Sequence, residues 1–216
     1  LTGDQIAKNL DLRKDFPKYM VYQDGVLTKS HCLDVEADWT DDHVGFLIGC
    51  SYSFESALAD EGLVPAHISN GRNVPMYRTN IPLCPAGSFN RSTYVVSMRP
   101  YRRKDIPRVQ KITRRYVATH GEPIDWGWDA VARLGIKDIS KPEYGEAPVS
   151  PDGSSFVQGD GSEGEELVPV FWGCGVTPQE AVRVAGVEGT VMGHAPGHML
   201  VLDIRDWDII PPVAGE

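Results

Sequence analysis

The chain has 216 residues, a formal net charge of −9, 41% hydrophobic residues and 24% charged ones. That apolar content can fill a core, so disorder over the whole length is excluded, and the length suits one moderately large domain or one domain with a smaller insertion. The negative charge repels a phosphate backbone, which argues against nucleic acid as a partner. No apolar run approaches the roughly 20 residues of a membrane span, so no membrane association is expected.

From Asp4 a helical pattern (Ile6, Leu10) passes through Pro17 into Tyr19-Met20-Val21-Tyr22. Asp24-Gly25 supplies a turn, and Val26-Leu27 returns as the partner of a hairpin. Val44 to Gly49 is a continuous apolar run of strand length, of the kind buried on both faces of a parallel sheet. A helix from about Phe54 to Glu61 follows, ending at Gly62.

Val74 to Ile81 and Thr93 to Met98 read as two further strands. Asp105 caps a helix with Pro107 in its first turn. There Ile106, Val109, Ile112 and Tyr116 share one side, while Lys104, Arg108, Lys111 and Arg115 form a solvated face on another. Gly145 to Glu166 is rich in Gly, Ser, Pro and acids and is expected to be a mobile loop or insertion. Val168 to Trp172 is a buried-type strand, and Met199 to Asp203 a final one. Short buried strands alternating with helices predict an α/β layered sheet.

Phe46 to Leu58 can be laid over Val170 to Val182, matching Gly49 with Gly173, Cys50 with Cys174 and Ala57 with Ala181. Both segments read as strand, glycine-cysteine turn, cap (Ser53 or Thr177) and helix, and Thr177-Pro-Gln-Glu180 spells a capping box. A pseudo-repeat and a chance match are both open.

Cys50 and Cys174, at strand-to-helix turns, face the crevice where open α/β sheets bind ligands, and helix N-termini favour anions and thiolates. Equally, both can be small buried residues filling tight turns, so Ser51, Ser53, Thr177 and the nearby N–H groups are the safer ligand contacts. No CxxC pair occurs, and a reducing compartment is the default. The expected location is the cytoplasm, with the mitochondrial matrix left open because the chain starts at Leu1 and its native N-terminus is not visible.

Arg78, Thr79 and Asn80 lie together in an apolar setting, a fork of donors beside an amide that suits a planar carboxylate. A surface strand whose arginine pairs with an acid is the competing reading. Ser97 and Arg99 alternate on one strand face, and Arg99 could clamp a second carboxylate or form a structural salt bridge. His194 and His198 are four apart, but Pro196 and Gly197 between them exclude a regular helix, and no HExxH or cysteine pair completes a metal site. His194 is therefore a candidate general acid or base, with a backbone-bonded turn histidine as the alternative. GxGxxG, GxxxxGK[ST] and GxSxG are all absent, so no cofactor is expected.

Five ordered motifs carry a family resemblance: Phe46-Leu-Ile-Gly-Cys-Ser-Tyr-Ser-Phe-Glu55, Val74-Pro-Met-Tyr-Arg-Thr-Asn80, Val95-Val-Ser-Met-Arg-Pro100, Phe171-Trp-Gly-Cys-Gly-Val-Thr-Pro-Gln179 and His194-Ala-Pro-Gly-His-Met199. Asp11 to Tyr19 and His120-Gly-Glu-Pro123 fit as well. From about Asp11 to Asp203 the chain resembles the D-glutamate cyclase and hydro-lyase family. An N-terminal portion of the family pattern is absent, and the Ser88 to Tyr94 and Gly145 to Glu166 segments are longer than usual.

The resemblance implies a three-layer α/β sandwich with a smaller two-layer α/β subdomain, set at residues 74–116, with 1–73 and 117–216 forming the main domain. It also implies loss of water from D-glutamate to give 5-oxo-D-proline, with a small carboxylate as the partner and a homodimer as an open arrangement. On that reading Arg78 and Asn80 hold the α-carboxylate and Arg99 lies near the reacting carboxyl. His194 is the acid/base, Glu55 a second one, and the N–H groups after Cys50 or Cys174 form the oxyanion site. Two alternatives stand beside it: a racemase or epimerase using Cys50 and Cys174 on opposite sides of a Cα, and a carboxylate-binding module without turnover.

Overall fold

The computed structural model describes residues 6–159, 162 and 164–211. Its strands are β1 (Tyr19–Gln23), β2 (Val26–Cys32), β3 (Met76–Pro82), β4 (Thr93–Arg102), β5 (Asp125–Trp126), β6 (Leu167–Gly173) and β7 (Thr190–His194). The described α-helices are α1 (Glu55–Asp60), α2 (Ala66–Ser69), α3 (Ile106–Thr113), α4 (Trp128–Arg133) and α5 (Thr177–Ala185). The described residues fall in two compact units, the first within Leu1–Ile48, Pro82–Ser92 and Pro178–Ile209, the second within Gly49–Ile81, Thr93–Thr177 and Ile210–Glu216.

In the first unit an antiparallel sheet runs β2-β1-β7. The expected hairpin is present: Asp24 and Gly25 both take positive φ (52° and 76°), which suits a two-residue turn joining twisted strands. β1 is the central strand, so Tyr19, Met20 and Val21 are buried while β2 stays exposed along most of its length. Tyr19, Val21 and Val35 form the core, with Phe16, Cys32 and Met192 against it.

In the second unit the sheet order is β3-β4-β6-β5, with β4–β6 and β5–β6 antiparallel. β4 and β6 are the inner strands, and consecutive residues from Val95 to Arg99 and from Val170 to Trp172 are buried, so both faces of these strands are covered. One face packs Val96, Met98 and Phe171 against Ala130, Leu134, Ile136 and Phe156. Gly145 takes φ +78°, and a Cβ there would come within 2.0 Å of the Val74 carbonyl oxygen, so only glycine lets this segment close against β3.

Mixed α/β structure agrees with the sequence reading, but both sheets are antiparallel rather than parallel. An apolar run reports burial and not strand direction. Val44–Gly49 is not a strand: Val44, Phe46 and Ile48 are exposed, and no neighbouring strand pairs with them. Met199–Asp203 is likewise irregular, the last strand ending at His194. In the 145–166 segment Phe156 is a core residue, and Glu165 and Glu166 pair with Lys104 and Arg103. Glu165 and Glu166 thus answer the basic residues just before α3, while Ile106 and Val109 are buried.

Candidate active site

Ser97 and Arg99 sit two apart on β4 and share the face opposite Val96 and Met98. Arg99 is fully buried. Its Nε donates to Glu55 Oε1 at 2.7 Å and its Nη2 to the same oxygen. Nη1 donates to Ser97 Oγ at 3.1 Å and Nη2 to Ser51 Oγ at 3.2 Å. The rings of Phe54 and Trp172 each lie 5.3 Å from the guanidinium carbon and cover it.

Glu55 opens α1, directly after a 3-10 turn over Ser51–Phe54, so one short stretch delivers both the serine and the carboxylate. Burial raises the Glu55 carboxyl pKa, but the Arg99 charge and the hydrogen bonds from His67 and Arg99 outweigh it, and the net shift is downward. For Arg99 burial pulls downward, and the Glu55 charge more than reverses it. Both groups are therefore ionised, a buried pair sustained by its extra hydrogen bonds.

The same Glu55 oxygen lies 3.3 Å from Nε2 of His67, on α2. The His67 ring is buried and stacks on Tyr52 with centroids 6.0 Å apart, and its Nδ1 is buried without a partner. A histidine oriented by an ionised carboxylate is a proton-transfer unit. Sequence reading did not single out His67; its only signal was a polar side chain between Pro65-Ala66 and Ile68.

The two glycine-cysteine turns are alike in structure. Ser53 N–H donates to the Cys50 carbonyl at 3.1 Å, and Thr177 N–H to the Cys174 carbonyl at 3.0 Å. The pseudo-repeat therefore holds through turn and helix and fails at the preceding strand, which exists only as β6. Burial pushes the Cys50 thiol up and the Cys174 thiol up to about 12. Burial thus works against a thiolate at either position, the form that a two-cysteine racemase would use as its base.

His120 stands between the turns. It takes φ +87° and leaves Nε2 buried without a partner. A Cβ on Gly173 would approach its Nδ1 to 3.1 Å. Burial holds its pKa below the usual histidine range, so the ring is neutral.

Of the residues expected to bind or react, Glu55, Ser51, Ser97 and Arg99 come together, and Cys50 lies within their electrostatic reach. Glu55, Ser97 and Ser51 take four N–H donors of Arg99, which forms the buried salt bridge that the sequence left open beside a substrate clamp. Arg78 lies over the Tyr144 ring and donates to its hydroxyl at 3.0 Å. Thr79 bonds the Tyr94 carbonyl, and Asn80 packs beside Gly135. Ser53 is not the cap of α1, which starts after Phe54 without a side-chain cap bond. The Thr177 hydroxyl exchanges hydrogen bonds with the Val95 backbone, and Glu180 pairs with Arg183. His194 belongs to the first unit, where it ends β7, stacks on Phe16 and bonds the Ala195 carbonyl at 2.8 Å. Among the described residues no three metal-ligating side chains come together.

The family model for D-glutamate cyclase matches residues 44–203. The chain belongs to the D-glutamate cyclase family. Among similar proteins, "Putative hydro-lyase C5H10.01" of Schizosaccharomyces pombe is 44% identical over 93% of this chain and 62% of its own length. "Putative hydro-lyase cu1581" of Corynebacterium urealyticum is 48% identical over 91% of this chain and 68% of its own. "Putative hydro-lyase YcsI" of Bacillus subtilis is 46% identical over 93% and 71%. The chain thus spans 62% to 71% of the length of these relatives. Within the D-glutamate cyclase match lie Ser51, Glu55, His67, Ser97, Arg99 and His120.

Proposed function

We propose that the chain is a hydro-lyase converting a small amino-carboxylate, D-glutamate, to 5-oxo-D-proline and water. The observation that carries this is the Glu55–His67 pair, held by a fully buried arginine inside the segment matched by the D-glutamate cyclase model. In the reaction the substrate ammonium gives up two protons and its nitrogen bonds the γ-carboxyl carbon. One carbon–oxygen bond then breaks, and that oxygen leaves as water with the same two protons. No electrons are exchanged and no co-reactant is consumed. The chemistry needs one group that accepts a proton and returns it, which is the work of an oriented imidazole. His67 takes this role in place of His194, and Glu55 orients the ring and stabilises its charged form.

With this reading go the finer features that the family implies: a three-layer α/β sandwich with a smaller two-layer subdomain, a cytoplasmic location and a small carboxylate as partner. No described helix is long and apolar enough to cross a membrane. The test is proton NMR of the protein with D- and L-glutamate separately, in deuterated buffer. 5-Oxoproline from the D isomer alone supports the proposal; unchanged D-glutamate overturns it.

A further inference from the structure

We infer that His31 and His198 form an open two-histidine site for one divalent transition-metal ion that prefers imidazole nitrogen, namely copper(II), nickel(II) or zinc(II). Both residues belong to the first unit. His31 lies in β2, and His198 closes the turn after β7, where its N–H donates to the Ala195 carbonyl at 2.9 Å. His31 is exposed and His198 half-buried, so an ion reaches the pair from solvent. The site is independent of the cyclase reading.

β1 and β2 pair Met20 with Ser30 and Tyr19 with Cys32, so His31 is an extra residue opposite no partner, a β-bulge. It takes φ +56°, a left-handed conformation that glycine adopts freely and that strains most side chains. Bulges re-aim a side chain. Here the imidazole meets that of His198, with ring centroids 5.6 Å apart and planes at 86°. Two imidazoles sharing one ion through nitrogens at about 2.0–2.1 Å have centroids about 5 Å apart at a tetrahedral angle. The rings therefore stand close to the separation that a shared ion requires.

Each ring is held by its Nδ1. That of His198 lies 3.1 Å from the Pro196 carbonyl, which can only accept, so Nδ1 carries a proton. That of His31 meets Ser30 Oγ at 2.7 Å. Both Nε2 atoms are left without a hydrogen-bond partner among the described residues. Metal-binding histidines are oriented in this way, one nitrogen tied to an oxygen and the other presented to the ion. The ion displaces any proton on Nε2 as it binds, so the site requires no particular starting charge. Edge-to-face packing accounts for the ring contact alone, and for neither the bulge nor the tethers. Neighbouring donors are turned elsewhere: the Cys32 thiol to the Tyr19 carbonyl at 3.5 Å, and His194 to Phe16 and the Ala195 carbonyl. Water fills the remaining positions, and imidazole ligands favour these ions over calcium and magnesium, which prefer oxygen.

The experiment is calorimetric titration of copper(II), zinc(II) and calcium into the chelator-stripped chain, with electron paramagnetic resonance at one equivalent of copper(II). One site per chain is expected for copper(II) and zinc(II), copper(II) the tighter, with no calcium bound. The copper spectrum should show two imidazole nitrogens. His31→Asn keeps a residue that tolerates the left-handed backbone. It and His198→Gln should each weaken copper(II) binding by at least the roughly tenfold that loss of even an outer-shell partner costs. His43→Gln, a histidine of the same unit outside the pair, should leave the affinity unchanged. Parent-like affinity in either pair variant, an equal loss in His43→Gln, or a spectrum without two nitrogens overturns the site. Circular dichroism checks that each variant is folded; should His31→Asn not fold, His198→Gln and the spectrum decide.

Discussion

Oε1 of Glu55 accepts from both Nε and Nη2 of Arg99, so the glutamate meets the guanidinium side-on while Ser97 and Ser51 take its remaining edge. Removing one partner of this pair leaves an uncompensated buried charge. Glu55→Gln should destabilise the chain by about 3–5 kcal/mol, read as a lowered urea midpoint. The double variant Glu55→Gln with Arg99→Met should recover part of that loss, because it removes the orphaned cation.

Acid should destabilise the fold from two sources. Glu55 has a depressed carboxyl pKa, so its contribution is present above the unfolded value of about 4.3 and is lost as pH falls through the folded value. His120 and His194 are held neutral by burial below the ordinary histidine pKa of about 6.5. In the window between that value and their folded values the unfolded chain binds more protons, so stability falls as pH is lowered. Urea midpoints should be level near pH 8 and decline from about pH 6.5 downward. His120→Gln with His194→Gln should flatten the decline above pH 5; an unchanged slope would count against their buried neutral state.

The thiols should be dispensable for proton transfer. Cys50→Ala and Cys174→Ser are expected to keep D-glutamate turnover within about threefold, whereas His67→Gln should lower kcat by about 10²–10⁴ with the fold retained by circular dichroism. Loss of Cα–H exchange or turnover in both cysteine variants would restore the two-cysteine reading.

Gly145 and Gly71 both take positive φ, but only Gly145 would drive a Cβ into backbone. Gly71→Ala should cost about 1 kcal/mol, from strain alone. Gly145→Ala should cost clearly more, since the Val74 carbonyl at 2.0 Å has to move. Equal thermal midpoints for the two variants would contradict the close approach.

The sequence by itself determined family membership, the β1–β2 hairpin, β3, β4 and β6, and the amphipathic α3, because ordered motifs, turn residues and local hydrophobic periodicity are written along the chain. It also picked out Ser97 and Arg99 as sharing one strand face, and the family resemblance picked out Glu55 as an acid/base. Strand direction, the irregular course of Val44–Gly49 and the place of Phe156 in the core were decided only by tertiary structure, since pairing and burial depend on partners distant in sequence. The same holds for function. Arg99 read equally as a substrate clamp and as a salt bridge until the fold set Glu55, Ser51 and Ser97 around it, and His67 was silent until the fold set its Nε2 against Glu55 and left its Nδ1 bare. Hydrogen-bond satisfaction is a property of what surrounds a side chain in space, and no spacing along the chain encodes it.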